Sequence, residues 1–318
     1  MSAAPVDMAP VAALRERVAD GVAKIVSGQN ESMHLAFLAL LCSGHVLLEG
    51  VPGVGKTLMV RTLSRLLEIR FGRVQFTPDL MPSDVIGTPV LRPQTGEFEF
   101  HAGPLFTDLL LADEINRAPA KTQAALLEAM QEGAVTVDGT RHALGPHFLV
   151  FATQNPVEHE GTYSLPEAEL DRFLFKITVD YPDEASEIEL LTRHHRDDHA
   201  PTLEVVANGD ALEAARALVE QVVVSPEIIG YVASLVRATR TDALFSLGAS
   251  PRAGVALVRA AKAQAATQGR DFTLPEDVQH VWLPTLRHRI QLDPGAEIEG
   301  LLADEALTRA LSSVAVPR

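Results

Sequence analysis

Cysteine occurs once in the 318 residues, at Cys42, so an internal disulfide is excluded. Its place in the apolar helical run Leu35 to Cys42 predicts a small core side chain, not a nucleophile. Long apolar stretches are also lacking. That same run is the longest candidate for a membrane span and falls far short of about 18 apolar residues. The opening MSAAPVDMAP has neither the basic start nor the apolar centre of a secretory signal, so a cytoplasmic protein with no membrane partner is expected. Basic charge is scarce as well: 27 Lys and Arg against 42 Asp and Glu give a net charge of −15. The acidic excess holds in both halves of the chain and is the wrong average field for a nucleic-acid backbone. A protein or small-molecule partner is favoured instead. Repeats and low-complexity tracts are missing, and 47% hydrophobic with 22% charged residues suits one large globular domain plus a smaller one.

What is present is most specific at Gly50 to Thr57. GVPGVGKT fits the phosphate-binding pattern G-x-x-x-x-G-K-[ST], and the apolar HVLLE before it supplies the strand that the pattern needs. Gly50, Gly53 and Gly55 let the loop that also holds Val51, Pro52 and Val54 curl with its available N–H groups inward, and a helix starting near Lys56 and running through Leu58 points its positive end at the phosphates. Lys56 is expected on the β- and γ-phosphates of a nucleoside triphosphate, and Thr57 on Mg²⁺, which prefers oxygen ligands.

Around this loop, short β-rich runs (HVLLE, RVQF, LLLAD, HFLVFAT, FKITVD) alternate with helical segments such as Lys121 to Glu132 from Gly44 to about Val179. Buried strands alternating with helices predict an α/β, three-layer fold: a parallel sheet with helices on both faces. Pro10 to Val26 reads as an amphipathic lead-in helix. Gly87 to Phe100 and Ala134 to His142 read as inserted hairpins, the second marked by Asp138-Gly139. After Tyr181-Pro182 the pattern is helical: Asp183 to His195, Ala211 to Val222, Glu227 to Thr239, Pro251 to Gln268 and Pro275 to Arg287. Thr273 to Glu276 is expected to form a capping box. The chain thus divides into an α/β unit, 1–182, and a C-terminal all-α unit, 183–318.

LLLADE, Leu109 to Glu114, is an apolar strand ending in two carboxylates and is expected beside the phosphate loop. There Asp113 holds Mg²⁺ through water and Glu114 deprotonates the attacking water, which implies hydrolysis. FLVFATQNP delivers Asn155 at the carboxyl end of a buried strand, the edge where α/β sheets bind ligands. An Asn-Pro pair alone reads as a turn; its position after that strand makes it a candidate for the γ-phosphate or the lytic water. His194, His195 and His199 in HHRDDH match no standard metal-ligand spacing and read as a solvated helix end.

The order of these pieces, followed by LPEAELDRF at Leu165 to Phe173 and GASPRA at Gly248 to Ala253, resembles the AAA+ ATPases and, within them, the MoxR group of chaperone-like ATPases. The resemblance implies a P-loop AAA+ core with a helical lid, and ATP with Mg²⁺ as cofactors. It places Arg172 as an arginine finger and Arg252 as a second sensor, with its cis or trans action left open. It further implies a ring homo-oligomer, often a hexamer, and a partner carrying a von Willebrand type A domain that serves an unidentified client protein. The hairpins are expected at the pore or at clients, and Arg117 is a weaker candidate for bridging subunits. A salt bridge from either arginine to Glu169 or Asp171 is the alternative role. A nucleic-acid motor is the competing function, and a scaffold with little turnover a third.

Overall fold

The computed structural model describes residues 5–156, 163–195 and 203–317. Helices α1 (Ala9–Ala23) and α2 (Asn30–Leu41) lead into β1 (His45–Glu49) and, after the glycine-rich loop, α3 (Lys56–Leu66). Then come β2 (Phe71–Gln75), α4 (Pro82–Ile86), the hairpin β3 (Gly87–Leu91) and β4 (Phe98–Ala102), β5 (Leu109–Asp113), a 3₁₀ turn (Ile115–Arg117) and α5 (Ala120–Glu132). A second hairpin, β6 (Ala134–Val137) and β7 (Thr140–Ala143), precedes β8 (Leu149–Gln154), α6 (Glu167–Leu170) and β9 (Phe173–Thr178).

The sheet is all parallel, in the order β2-β5-β8-β1-β9. Its strands are apolar on both faces, and successive residues serve opposite cores, as the two-residue period of a strand requires. Val46, Leu48, Leu109, Leu111, Leu149 and Phe151 pack on the side of α1, α2, α3 and the lid. Leu47, Leu110, Ala112, Val150 and Ala152 pack on the side of α4 and α5. Both hairpins form where the sequence places them. Asp138 and Gly139 have φ of 48° and 77°, the turn that matches strand twist. The hairpins lie together, with Phe100 of β4 stacked 4.0 Å from His142 of β7.

From Glu184 onward the chain is a helical lid: α7 (Glu184–His195), α8 (Gly209–Glu220), α9 (Pro226–Thr241), α10 (Pro251–Thr267), α11 (Pro275–Leu286), α12 (Pro294–Ile298) and α13 (Ala303–Ser313). A two-stranded ribbon, β10 (Phe245–Leu247) with β11 (Gln291–Leu292), is the addition to the all-helical expectation. Trp282 of α11 is fully buried and donates Nε1–H to Leu307 O at 2.9 Å. The expected capping box at Thr273 is corrected. Beside the Val223–Phe272 bridge, the Thr273 N–H donates to Val223 O at 3.0 Å, so α11 begins one residue later. Asp277 then caps the helix by accepting from the Leu274 amide at 2.7 Å. Cys42 is buried, and burial pushes its thiol up to about 12, which makes it inert core.

Candidate functional site

The loop at 50–57 leaves the carboxyl end of β1, and its tight geometry depends on glycine. A Cβ on Gly50 would lie 2.2 Å from Val179 O, so only glycine lets β1 and the end of β9 close up there. Gly53 and Gly55 have φ of 88° and 85°, and nothing lies within 4 Å of where their Cβ atoms would be. The open side of the loop is a cradle of backbone that phosphate oxygens fit, at the N-terminus of α3. Lys56 donates from Nζ to Gly50 O at 2.5 Å and Val51 O at 3.1 Å. Burial holds its ammonium below the ordinary lysine range, while Asp113, Glu114 and Glu49 act against that shift. Both acidic residues of LLLADE therefore lie near enough to the loop lysine to favour its charged form.

They do so from farther across the sheet than the sequence suggests. β5 is not the neighbour of β1; β8 runs between them. The consequence is a third polar group in the site, Thr153, which is fully buried. Its hydroxyl donates to Asp113 Oδ1 at 2.6 Å and accepts the Glu114 amide at 2.8 Å. Glu114 needs that tie because its φ of 56° is left-handed, a conformation costing roughly 1–2 kcal/mol for a residue with a side chain. The strained turn swings the Glu114 carboxylate out of the strand line toward β2. There Gln75 Nε2 donates to Glu114 Oε2 at 2.7 Å, and Arg117 Nε lies 3.1 Å from the same oxygen. Arg73, also on β2, holds Asp113 Oδ2 from Nη2 at 2.7 Å and donates to Gln75 Oε1 at 2.9 Å. Asn155 follows β8 directly and is buried. Thr57, at the second position of α3, and Asp113 together offer the hard oxygen donors that suit Mg²⁺. Among the described residues no cluster of His, Cys, Asp and Glu could hold a metal by itself. His199 and the side chains of His194 and His195 lie outside that description.

Arg172 and Arg252 are placed together but away from the loop. Arg172 directly precedes β9, whose Phe173 pairs with His45 at the amino end of β1, whereas the phosphate loop leaves the carboxyl end. One strand of this length separates the two by about 13 Å. Arg172 donates from Nη1 to Leu127 O at 2.6 Å, not to Glu169 or Asp171. Arg252 is exposed in the first turn of α10, after Ser250 at the N-cap and Pro251, although the Ser250 hydroxyl does not cap the helix. With Arg259, Arg289 and His45 the two line a cavity of about 280 Å³ in which Asp171 is the acidic residue.

Thr153, Gln75, Arg73 and Arg289 are the residues that sequence reasoning missed. The signal for Gln75 is its register: it pairs with Asp113 across β2 and β5. Thr153 pairs with Leu48 one row from the loop. Neither register can be read without the strand order.

The family of ATPases associated with various cellular activities (AAA) matches residues 45–175, and the AAA lid domain matches 237–310. The uncharacterized protein YeaC of Bacillus subtilis is 45% identical, over 95% of this chain and 94% of its own length. Chaperone MoxR1 of Mycobacterium tuberculosis is 42% identical, over 95% of this chain and 82% of its own. The crystal structure of a protein of Cytophaga hutchinsonii with an ATPase assignment superposes with a TM-score of 0.89, at 41% identity and 97% coverage of both chains. Together with a phosphate loop whose lysine lies within electrostatic reach of Asp113 and Glu114, matches of this length and closeness show that the chain belongs to the MoxR family of AAA+ ATPases, which hydrolyse ATP.

Proposed function

We propose that the protein is the ATP-hydrolysing subunit of a chaperone ring, a hexamer by family resemblance, with residues 1–182 as nucleotide-binding core and 183–318 as lid. The relative named chaperone MoxR1 supports the chaperone reading. In this reading the ring works in the cytoplasm and remodels a client protein or enzyme complex, with a von Willebrand type A domain protein as adaptor. Leu91 and Phe98, paired at the outer end of the first hairpin, are 49% and 72% exposed and suit an apolar client segment.

The observation that carries the ring is the separation of the two residue sets. Lys56, Asp113 and Glu114 lie at one end of β1, and Arg172 with Arg252 at the other. A subunit that presents its arginine end to its neighbour's phosphate end unites them, so both arginines act in trans. Lys56 then exchanges the Gly50 and Val51 carbonyls for the β- and γ-phosphates. Thr57 and Asp113 hold Mg²⁺, which when bound neutralises charge building on the phosphate oxygens. Glu114 accepts the proton of the attacking water, and Asn155 holds that water or a γ-phosphate oxygen. Arg172 and Arg252 balance the transition-state charge, an effect worth on the order of 10³–10⁵ in related NTPases.

Two measurements test this. Glu114→Gln should bind ATP and lose turnover by roughly 10²–10⁴-fold. Mixing Arg172→Ala with Lys56→Ala, each inactive alone, should restore partial turnover; no recovery at any ratio in an assembled ring overturns the trans assignment. DNA-stimulated turnover that falls steeply with salt would replace the chaperone by a nucleic-acid motor.

A further inference from the structure

Asp171 stands between the two arginines. Its Oδ1 accepts from Arg289 Nε at 2.6 Å, and its Oδ2 accepts from Ser250 Oγ at 3.4 Å. Arg289 follows α11 in the lid, and its side chain is 4% exposed. A guanidinium has five N–H donors in a rigid fork, and here all five are engaged. Nη2 donates to Asp171 O at 3.1 Å and Phe173 O at 2.7 Å; Nη1 donates to Leu174 O at 3.0 Å and Thr285 O at 2.5 Å. Four of the five therefore grip the four-residue segment that carries Arg172. The same carboxylate reaches Ser250, the residue at the N-cap of α10, two positions before Arg252.

We propose that Asp171 and Arg289 are positioning residues that lock Arg172 and Arg252 into one two-pronged unit, so that a neighbouring subunit's nucleotide meets both guanidiniums at a fixed spacing. Arg289 is not itself a phosphate ligand: it is buried and its charge is matched by Asp171. Arg172 is bonded to Asp171 through the chain, and Arg252 is tied to it through Ser250, so lid and core register at a single carboxylate. A fork is needed for this, because a lysine offers a point charge and cannot hold the Asp171 side chain and three carbonyls together. This inference rests on the trans reading above.

The test uses full-length Arg289→Lys, with Asp171→Asn as a second variant should the first fail to assemble. Each should form the ring and lose kcat about 10- to 100-fold while KM for ATP stays unchanged, because its own phosphate loop is intact. Mixed rings then give direction. Arg289→Lys with Lys56→Ala should regain turnover, since sound fingers meet sound loops; Arg289→Lys with Arg172→Ala should not, since every finger is faulty. A merely structural role would damage the loop as well and abolish recovery with Lys56→Ala. That result, or wild-type kcat in both variants, overturns the inference while Arg172→Ala with Lys56→Ala still recovers. Failure of that control pair overturns the trans reading and this inference with it.

Discussion

Thr153 and Asp113 share one short hydrogen bond, 2.6 Å from hydroxyl to Oδ1, and through the same oxygen Thr153 also secures the Glu114 amide. One buried hydroxyl thus fixes the Asp113 carboxylate and the backbone that carries Glu114. Replacing it with the near-isosteric valine removes a donor and an acceptor, leaving the Glu114 N–H unsatisfied at a cost of about 1–3 kcal/mol. Thr153→Val should lower kcat by roughly tenfold or more. Thr153→Ser should restore most of the rate, and steady-state ATPase assays separate the two. Equal rates in both variants would show that the hydroxyl is idle.

Arg73 occupies the Asp113 carboxylate proposed above for Mg²⁺. The pair is half-exposed, 49% at Arg73, so it is worth about 0.2–1 kcal/mol, an amount that shifts a binding equilibrium by roughly 1.5- to 5-fold. Arg73→Ala should therefore lower the Mg²⁺ concentration for half-maximal turnover by about that factor. A rise in the requirement would mean that Arg73 supports the site instead of competing for it.

The glycines of the loop differ in kind. Gly50→Ala drives a methyl into Val179 O at 2.2 Å, a backbone atom that cannot swing away, whereas Gly53→Ala meets no atom and carries only the strain of φ 88°. Thermal unfolding should show a large drop for Gly50→Ala and a loss on the order of 1 kcal/mol for Gly53→Ala. Nucleotide binding should weaken in both.

His45 gives the fold a pH dependence. Its Nδ1 accepts the Val150 amide at 3.0 Å and its Nε2 faces Met130 O at 3.1 Å, which assigns the proton to Nε2 and leaves the neutral ring satisfied. Burial, above all, lowers its pKa from 6.5 to about 4. The unfolded chain therefore binds the proton first as pH falls. The stabilisation is complete above pH 6.5 and is lost between there and about 4, on the order of 3 kcal/mol in all. Buried His288 and half-buried His34 shift in the same direction. Urea midpoints should fall between pH 7.5 and 5.5, and His45→Gln should narrow that difference. An unchanged difference would assign the loss to other groups.

The parts of the site legible in the sequence are those whose residue types are constrained locally. Glycines at a tight turn, the lysine after them, and two carboxylates closing an apolar strand each announce themselves within a few positions. Strand composition gave the α/β class because a strand buried on both faces has to be apolar throughout. Thr153, Gln75 and Arg73 were not legible, because their partners are set by the order β2-β5-β8-β1-β9 and by register between segments far apart in the chain. Nothing local in the sequence distinguishes Arg289; its fivefold engagement exists only once lid and core meet. The misplaced capping box has the same origin, since Val223 competes for Thr273 from 50 residues away.

The sheet has two open sides, and the lid treats them unequally. Along β9, Arg289 covers the carbonyls of Phe173 and Leu174, His288 lies 2.9 Å from Phe173 O, and Arg287 donates to Thr178 Oγ1 at 2.7 Å. Arg289 and His288 thus occupy backbone carbonyls at the start of β9, which leaves that stretch less open to an extended peptide docking as a sixth strand. A measure of protection against runaway sheet-to-sheet growth is thereby built into the start of this border.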